Sequence, residues 1–82
     1  MKEKILIVDD EKEIADLVTL YLENEGFEVY KYYDSREALE KILAQEMDLA
    51  VLDIMMPEIS GLELCRKIRE KYAYPIIMLT AK

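Results

Sequence analysis

Residues 50–61 read AVLDIMMPEISG, and this stretch places a carboxylate at the end of an apolar run. With the two residues before it, the run DLAVLDI has the length and the continuous apolar character of a strand buried on both faces. Asp53 is therefore either a strand-end residue that happens to face water, or a residue that the strand presents for chemistry. Other polar residues at the same edge of the sheet would favour the second interpretation.

Three further strands are predicted from short apolar or aromatic runs. They are Ile5–Val8 (ILIV), Phe27–Tyr33 (FEVYKYY) and Ile76–Leu79 (IIML). Between the strands, apolar residues recur at the spacing of one helical face. The first stripe consists of Ile14, Leu17, Val18, Tyr21 and Leu22, the second of Ala38, Leu39, Ile42 and Leu43, and the third of Leu62, Cys65, Ile68 and Tyr72.

Two local signals mark helix ends. Gly26 follows the first stripe and is expected to end that helix in a left-handed conformation. Asp34, with Glu37 three residues later, is expected to form a capping box at the start of the second helix.

The order β-α-β-α-β-α-β, with connections long enough for helices, predicts an α/β fold on a parallel sheet with right-handed crossovers. In such open sheets, ligands bind beyond the carboxyl ends of the strands, near the point where the strand order reverses. Polar residues stand at three of these ends: Asp9 and Asp10 after the first strand, Asp53 at the end of the third, and Thr80 after the fourth. We expect these residues to lie together and to form a site.

Composition excludes several classes of function. The 82 residues suffice for one small domain, and the formal net charge of −7 argues against a surface that binds nucleic acid. Only four apolar residues lie between the initial MKEK and Asp9, too few for a signal peptide or a membrane span, so a cytoplasmic protein without a membrane partner is expected. With no histidine and one cysteine, a zinc site and an internal disulfide are excluded. Two glycines are too few for a glycine-rich nucleotide loop.

The predicted group of carboxylates favours a metal site. Three carboxylates at one edge repel one another unless a cation neutralises them. Mg²⁺ suits such a group because it prefers oxygen ligands, takes one or two carboxylates and leaves positions for phosphate oxygens. A phosphoryl group held beside an aspartate favours in-line transfer to a carboxylate oxygen, which gives an aspartyl phosphate. The hydroxyl of Thr80 would then hydrogen-bond that phosphoryl group.

Three segments, ILIVDDE, VLDIMMPEISG and PIIMLTA, resemble the receiver domain of two-component response regulators in sequence, order and spacing. The resemblance extends from Lys4 to Lys82 and implies a flavodoxin-like fold with strand order 2-1-3-4. Two further segments, EIADLVTLYL and YPIIMLT, are similar to the vancomycin-resistance regulators of the DNA-binding winged-helix subfamily. The resemblance implies a phosphoacceptor signalling domain, not an enzyme, that a sensor histidine kinase phosphorylates to control transcription. DNA would be bound only through an output domain absent from this chain.

The resemblance also implies a role for each residue of the site. Asp53 would be the phosphoacceptor and a ligand of Mg²⁺, Asp10 a direct ligand, Asp9 a ligand through water, Met55 a ligand through its backbone carbonyl, and Thr80 the switch hydroxyl.

The loop after the phosphoacceptor follows the family with one departure. Pro57 and Gly61 would shape this loop. Ser60 stands where many members carry an aspartate, which concerns the capping of the loop and not the phosphorylation chemistry.

The receiver domains that this chain resembles continue for another helix, strand and helix. Residues 1–82 are therefore expected to be the N-terminal part of a receiver domain. The fifth strand of the family carries a lysine that pairs with the phosphoryl group, and Lys82, just past the threonine, is not that lysine. Without a fifth strand, the apolar run Ile76–Leu79 would be an exposed edge, which predicts self-association through the fourth strand.

Other interpretations remain open. A fragment without the lysine would act only as an interaction or oligomerisation module. A Mg²⁺-dependent phosphohydrolase also uses an aspartyl phosphate, but it needs a second acid two residues after the nucleophile, where Met55 stands. At single positions the plainer interpretations are that Asp10 caps the first helix and that Met55, Met56 and Cys65 pack in the core.

Overall fold

All four predicted strands and all three predicted helices are present, in the predicted order. A computed structural model describes residues 2–80, so Lys82 lies outside the described residues. The elements are β1 (Lys4–Val8), α1 (Lys12–Asn24), β2 (Glu28–Tyr32), α2 (Ser35–Ala44), β3 (Leu49–Asp53), α3 (Gly61–Arg69) and β4 (Ile76–Leu79). Within these residues, no helix has the length and apolar character needed to cross a membrane.

The strands form one parallel sheet in the order β2-β1-β3-β4, which confirms the predicted α/β fold and strand order. Each strand reaches the next through a helix, and parallel pairing requires such a crossover. The chain moves outward from β1 to β2 and then returns to the other side of β1 to form β3. The carboxyl ends of β1 and β3 therefore flank the point where the strand order reverses.

The central strands are covered on both faces, which explains why their sequences are apolar without alternation. One face packs against α2 and α3, and its fully buried residues include Leu6, Val8, Ala50 and Leu52 from the strands with Ile42, Leu64 and Ile68 from the helices. The other face packs against α1, and its buried residues are Ile5, Ile7, Val51 and Ala15. This second core cluster is the smaller of the two because α1 is the only described helix that packs on its face of the sheet.

The predicted contact face of α1 is partly wrong. Leu17 is 58% exposed and Tyr21 is 70% exposed, although both belong to the predicted stripe. The buried residues of this helix are Ala15 and Thr19. Val18 and Leu22 of the predicted stripe do pack against the core cluster on this face, so the prediction holds for them and fails at Leu17 and Tyr21.

The predicted contact face of α3 is wrong at Leu62, which is 55% exposed. The buried residues of this helix are Gly61, Leu64 and Ile68, at i, i+3 and i+7. Ile68 therefore packs as predicted, and Cys65 and Tyr72 are half-buried against the same core cluster.

The end of α1 at Gly26 and the cap of α2 by Asp34 are confirmed, but among the described residues Glu37 makes no reciprocal side-chain bond, so the predicted capping box is only half formed. Gly26 has φ +92°, and the following amide of Phe27 donates to the carbonyl of Leu22, which closes the end of α1. The side chain of Asp34 accepts hydrogen bonds from the amides of Arg36 and Glu37, at 2.7 and 3.3 Å.

Among the described residues, β4 pairs with β3 alone and forms one edge of the sheet. Ile77 of β4 lies beside Val51 of β3 and therefore projects from the α1 side of the sheet. It is 50% exposed, because α1 does not extend over this edge.

Candidate functional site

Three aspartates lie together at the carboxyl edge of the sheet, as the sequence predicts. Carboxylate oxygens of Asp9, Asp10 and Asp53 all lie within 4.8 Å of one another. Asp9 is 2% exposed and Asp53 is 1% exposed, while Asp10 is open to solvent. The group therefore has two buried members and one accessible member.

The position of Asp53 is fixed by backbone contacts around it. Its Oδ1 atom accepts a hydrogen bond from the amide of Met55 at 3.1 Å, which orients the carboxylate. The next residue, Ile54, donates its amide to the carbonyl of Leu79 at 3.2 Å, which extends the pairing of β3 with β4 past the carboxylate. Asp53 is thus held within the sheet rather than on a loose loop.

The hydrogen bond that closes the turn before α1 is made by Asp9. Its Oδ1 atom accepts from the amide of Glu11 at 2.9 Å, and its own amide donates to the carbonyl of Tyr32 at 3.1 Å. The N-cap residue of α1 is Glu11, and among the described residues Asp10 makes no capping hydrogen bond, so the plainer interpretation of Asp10 as the cap is wrong. Asp10 instead contributes a carboxylate oxygen to the acidic group.

Thr80 lies at the same edge as the acidic group. Leu79 pairs with Asp53 in the parallel register, so Thr80 is the first residue beyond that pair. It is exposed to solvent.

The two methionines after Asp53 have opposite surroundings. Met56 is 9% exposed and belongs to the main core cluster, which confirms its packing role. Met55 is 64% exposed, so the expectation that its side chain packs is wrong. The contribution of Met55 to the site comes from its backbone, because its amide orients Asp53.

The loop between β3 and α3 is attached to the start of α2 by two contacts. The hydroxyl of Ser35 donates to the carbonyl of Pro57 at 3.3 Å, and Nε of Arg36 lies 2.6 Å from Oε1 of Glu58. Glu58 has φ +68°, a left-handed conformation that costs a non-glycine residue about 1 kcal/mol or more.

These loop contacts were not predicted from the sequence. The partners lie 22 residues apart, and neither the left-handed residue nor the pairing has a local sequence signal. They form part of the wall of a small cavity of about 50 Å³ beside Asp10. The cavity is lined by Asp10, Tyr33, Asp34, Ser35, Met56, Pro57 and Glu58.

Helix α3, which follows this loop, has a side-chain N-cap at Ser60. The hydroxyl of Ser60 accepts a hydrogen bond from the amide of Glu63 at 3.2 Å, so serine performs the capping role at this position. The amide of Gly61 donates to the carbonyl of Ile54 at 3.1 Å, which closes the loop onto the residue after Asp53. The expected loop-shaping role of Gly61 is therefore visible as a direct contact with the end of β3.

Comparison with known families decides the identity of the domain. The family model described as "Response regulator receiver domain" matches residues 5–82. The chain belongs to the receiver domain family of response regulators.

Relatives of this receiver domain agree with its fold and with the predicted subfamily. Regulatory protein VanR of Enterococcus faecium is 66% identical over 82 residues, which are all of this chain and 36% of that protein. The chain therefore spans about a third of the length of this curated relative. Among solved structures, chemotaxis protein CheY4 of Vibrio cholerae has a TM-score of 0.92 at 35% identity, over 100% of this chain and 71% of that one.

A third relative is informative about ligands. Response regulator TrrA of Thermotoga maritima, solved in complex with Mg²⁺-BeF, has a TM-score of 0.88 at 46% identity, over 100% of this chain and 71% of that one. TrrA has also been solved in complex with the histidine kinase ThkA.

The acidic group of this receiver domain fits a divalent cation. Two of its carboxylates are nearly fully buried, and burial of ionised carboxylates is costly unless charges or hydrogen bonds compensate them. The donor atoms are all oxygens, and their mutual distances within 4.8 Å suit a small, hard ion such as Mg²⁺. Receiver domains bind Mg²⁺ at an acidic pocket, and the geometry here is consistent with that property.

A second charged group joins α1 to the end of β2 next to the site. Hydrogen bonds from Lys31, at 2.7 Å, and then from the hydroxyl of Tyr33 lower the pKa of Asp16. The same carboxylate raises the pKa of Lys31. The ammonium groups of Lys12 and Lys31 lie 5.4 and 5.3 Å from the ring centre of Tyr33. Because this group faces solvent, it orients side chains more than it stabilises the fold.

Proposed function

We propose that Asp53 is the phosphoacceptor of this receiver domain and takes its phosphoryl group from a sensor histidine kinase in the cytoplasm. The observation that carries the proposal is the juxtaposition of buried Asp53 with Asp9 and Asp10 at the carboxyl edge of the sheet. Thr80 follows the residue that pairs with Asp53, which supports its role as the switch hydroxyl. The output is transcription, controlled through a DNA-binding domain outside this chain.

Mg²⁺ would be held by Asp10, Asp53 and the backbone carbonyl of Met55, with Asp9 reaching it through water. When bound, the ion neutralises phosphoryl oxygens that would otherwise be repelled by three carboxylates. The hydrogen bond that the Asp9 carboxylate already accepts from the amide of Glu11 supports its indirect role, and the exposure of Asp10 makes that carboxylate accessible to a metal ion.

The chain's own residues determine the geometry of transfer. The amide of Met55 holds one oxygen of the Asp53 carboxylate and so orients the group. A carboxylate oxygen forms a bond to phosphorus as the P–N bond to the kinase histidine breaks, and the electron pair of that bond stays on the imidazole nitrogen. The hydroxyl of Thr80 then donates a hydrogen bond to a phosphoryl oxygen.

Phosphohydrolase activity is the weaker alternative, because the side chain two residues after Asp53 is the thioether of Met55. No carboxylate stands there to protonate a leaving group or to activate water. A stable phosphoacceptor therefore agrees better with the residues present.

Self-association through β4 is a second proposal, favoured by a separate observation. Among the described residues, β4 has no strand on its outer side, and Ile77 within this strand is 50% exposed. An unpaired apolar edge offers amide and carbonyl groups to a strand of another molecule. A second copy of this chain is the proposed partner. The same exposed edge keeps open the alternative of a domain that acts only by association.

The proposed phosphorylation is tested with a small phosphodonor, acetyl phosphate, in the presence of Mg²⁺. Intact mass is expected to increase by one phosphoryl group in the wild-type chain and not in Asp53→Asn. Asp16→Asn is the matched control, because Asp16 is an exposed aspartate of α1 outside the acidic group. An adduct that survives Asp53→Asn would overturn the assignment of Asp53, and absence of any adduct on the wild type would favour the alternative of a domain that acts only by association.

A further inference from the structure

The two glycines of this chain are required for different reasons. Gly26, after α1, has φ +92°, and no described atom lies within 4 Å of the position that its Cβ would take. Gly61, the first residue of α3, shows no such positive φ, but a Cβ there would lie 2.1 Å from the carbonyl oxygen of Asp53. The same Cβ would lie 2.8 Å from the Asp53 carbonyl carbon and 3.0 Å from Cα of Ile54. Position 61 therefore requires glycine because any side chain there would collide with the peptide that follows Asp53.

The clash cannot be relieved by a side-chain rotation, since all three atoms belong to the backbone. It also cannot be relieved easily by moving α3. Leu64 and Ile68, one and two turns further along, are fully buried in the main core cluster, and a shift of the helix would open that packing. The amide of Gly61 in addition donates to the carbonyl of Ile54 at 3.1 Å.

Strand β3, which Gly61 contacts, is also held firmly by its neighbours up to its last residues. Leu52, immediately before the aspartate, is fully buried, and β3 is paired on both sides by β1 and β4. The atoms that a Cβ at position 61 would meet belong to the Asp53–Ile54 peptide, where the strand gives way to the loop. A side chain at position 61 would therefore displace the backbone that carries the carboxylate.

We propose that Gly61 is a positioning residue for Asp53: by lacking a side chain, it lets the first turn of α3 lie against the acceptor's own peptide. This contact fixes the carboxylate of Asp53 within reach of Asp9 and Asp10. The inference rests on the proposed function, because it concerns where the metal and the phosphoryl group are received. It also implies that a displacement of the start of α3 changes the affinity of the site for Mg²⁺.

The two glycines provide a matched pair of variants. Gly26→Ala introduces the same methyl group and destabilises the fold through backbone strain, at a turn away from the acidic group. Gly61→Ala introduces it against Asp53. Comparison of the two separates a loss of stability from a change in the site.

The experiment measures the Mg²⁺ dependence of the melting temperature for the wild type and both variants, and derives an apparent Kd for each. Gly26→Ala is expected to melt at a lower temperature but to keep the wild-type Kd. Gly61→Ala is expected to weaken Mg²⁺ binding by about tenfold to a hundredfold, the usual effect of losing a group that orients a metal ligand. A wild-type Kd in a folded Gly61→Ala variant would overturn the inference.

A second measurement on the wild type decides the matter if Gly61→Ala does not fold. The chain has only two glycine amides, and both are readily assigned in a two-dimensional amide spectrum. The Gly61 amide is expected to shift during a Mg²⁺ titration with the same midpoint as the Met55 amide, while the Gly26 amide stays constant. A Gly61 amide that does not respond while Met55 does would contradict the inference. If neither the spectrum nor the melting temperature of the wild type responds to Mg²⁺, the proposed function itself fails.

Discussion

Nε of Arg36 lies 2.6 Å from Oε1 of Glu58, so the first turn of α2 is joined to the loop that follows the candidate phosphoacceptor. Glu58 makes this contact from a left-handed backbone conformation, with φ +68°. The ion pair is solvent-exposed on both sides and contributes about 0.2–1 kcal/mol. The conformational cost at Glu58 is of similar or larger size, about 1–2 kcal/mol. The loop is therefore held in place at a position where the chain is strained.

The first prediction separates that strain from the ion pair. Glu58→Ala removes the ion pair and keeps the strain, so we expect a lower free energy of unfolding. Glu58→Gly removes both, and we expect it to be more stable than Glu58→Ala by about 1 kcal/mol. Urea denaturation of the two variants and the wild type measures the differences. Equal stability of the glycine and alanine variants would show that the left-handed conformation carries no cost here.

The second prediction concerns a buried phenol. Tyr74 is 6% exposed, and its hydroxyl has no hydrogen-bond partner among the described residues. Burial raises the pKa of Tyr74 from its ordinary value of 10 to about 12. An unpaired buried hydroxyl costs about 1 kcal/mol or more, so we expect Tyr74→Phe to be at least as stable as the wild type at pH 7.

The raised pKa of Tyr74 also gives a pH dependence with a definite sign. Because the folded state favours the neutral phenol, the stability that this preference contributes is fully present below pH 10. It is lost as the pH rises from 10 through about 12. Urea denaturation between pH 8 and about pH 11 is expected to show a steeper loss of stability in the wild type than in Tyr74→Phe. Tyr72→Phe, on the neighbouring ring 5.9 Å away, is the control and should keep most of the steep loss, because burial, the larger cause of the raised pKa of Tyr74, remains.

The fold was predictable because each strand is marked in the sequence by its own short apolar or aromatic run. The central strands β1 and β3 are continuously apolar, and buried on both faces, so their place in a parallel sheet follows from the sequence. The helix faces were less predictable. Leu17 and Leu62 fit a helical stripe and yet face solvent, whereas Ala15 and Gly61, which are small and give little hydropathy signal, are buried.

The site was predictable to the extent that it depends on topology. Asp9, Asp10 and Asp53 meet because the carboxyl ends of parallel neighbouring strands share one edge. What the sequence does not contain is the set of contacts that hold the loop after Asp53. The pairing of Arg36 with Glu58 depends on the loop's path across α2, and no local pattern specifies that path.

The third prediction concerns the acidic group itself. Mg²⁺ at about a hundred times its Kd is expected to stabilise the wild type by about 2.7 kcal/mol, because the ion binds the folded chain alone. Asp10→Asn removes one like charge and one metal ligand, so we expect a more stable chain without Mg²⁺ and a smaller response to it. Asp34→Asn is the control, since asparagine preserves the cap of α2 and leaves the group intact. Thermal melting with and without Mg²⁺ measures both effects, and an undiminished response in Asp10→Asn would remove it from the metal site.

The fourth prediction concerns the exposed edge of the sheet. Ile77 projects from the α1 side of β4 and is 50% exposed, so a lysine there keeps its charge in water in the isolated chain. Association through β4 would bury that charge between two copies, and we expect Ile77→Lys to shift the chain from dimer toward monomer by at least about tenfold in Kd. Leu43→Lys on α2, where leucine is 49% exposed, introduces the same charge away from β4 and should leave association unchanged. Light scattering coupled to size-exclusion chromatography over a range of concentrations measures the mass of each variant. A wild-type chain that remains monomeric at the highest concentration would contradict self-association, and equal effects of the two lysines would place the contact elsewhere than β4.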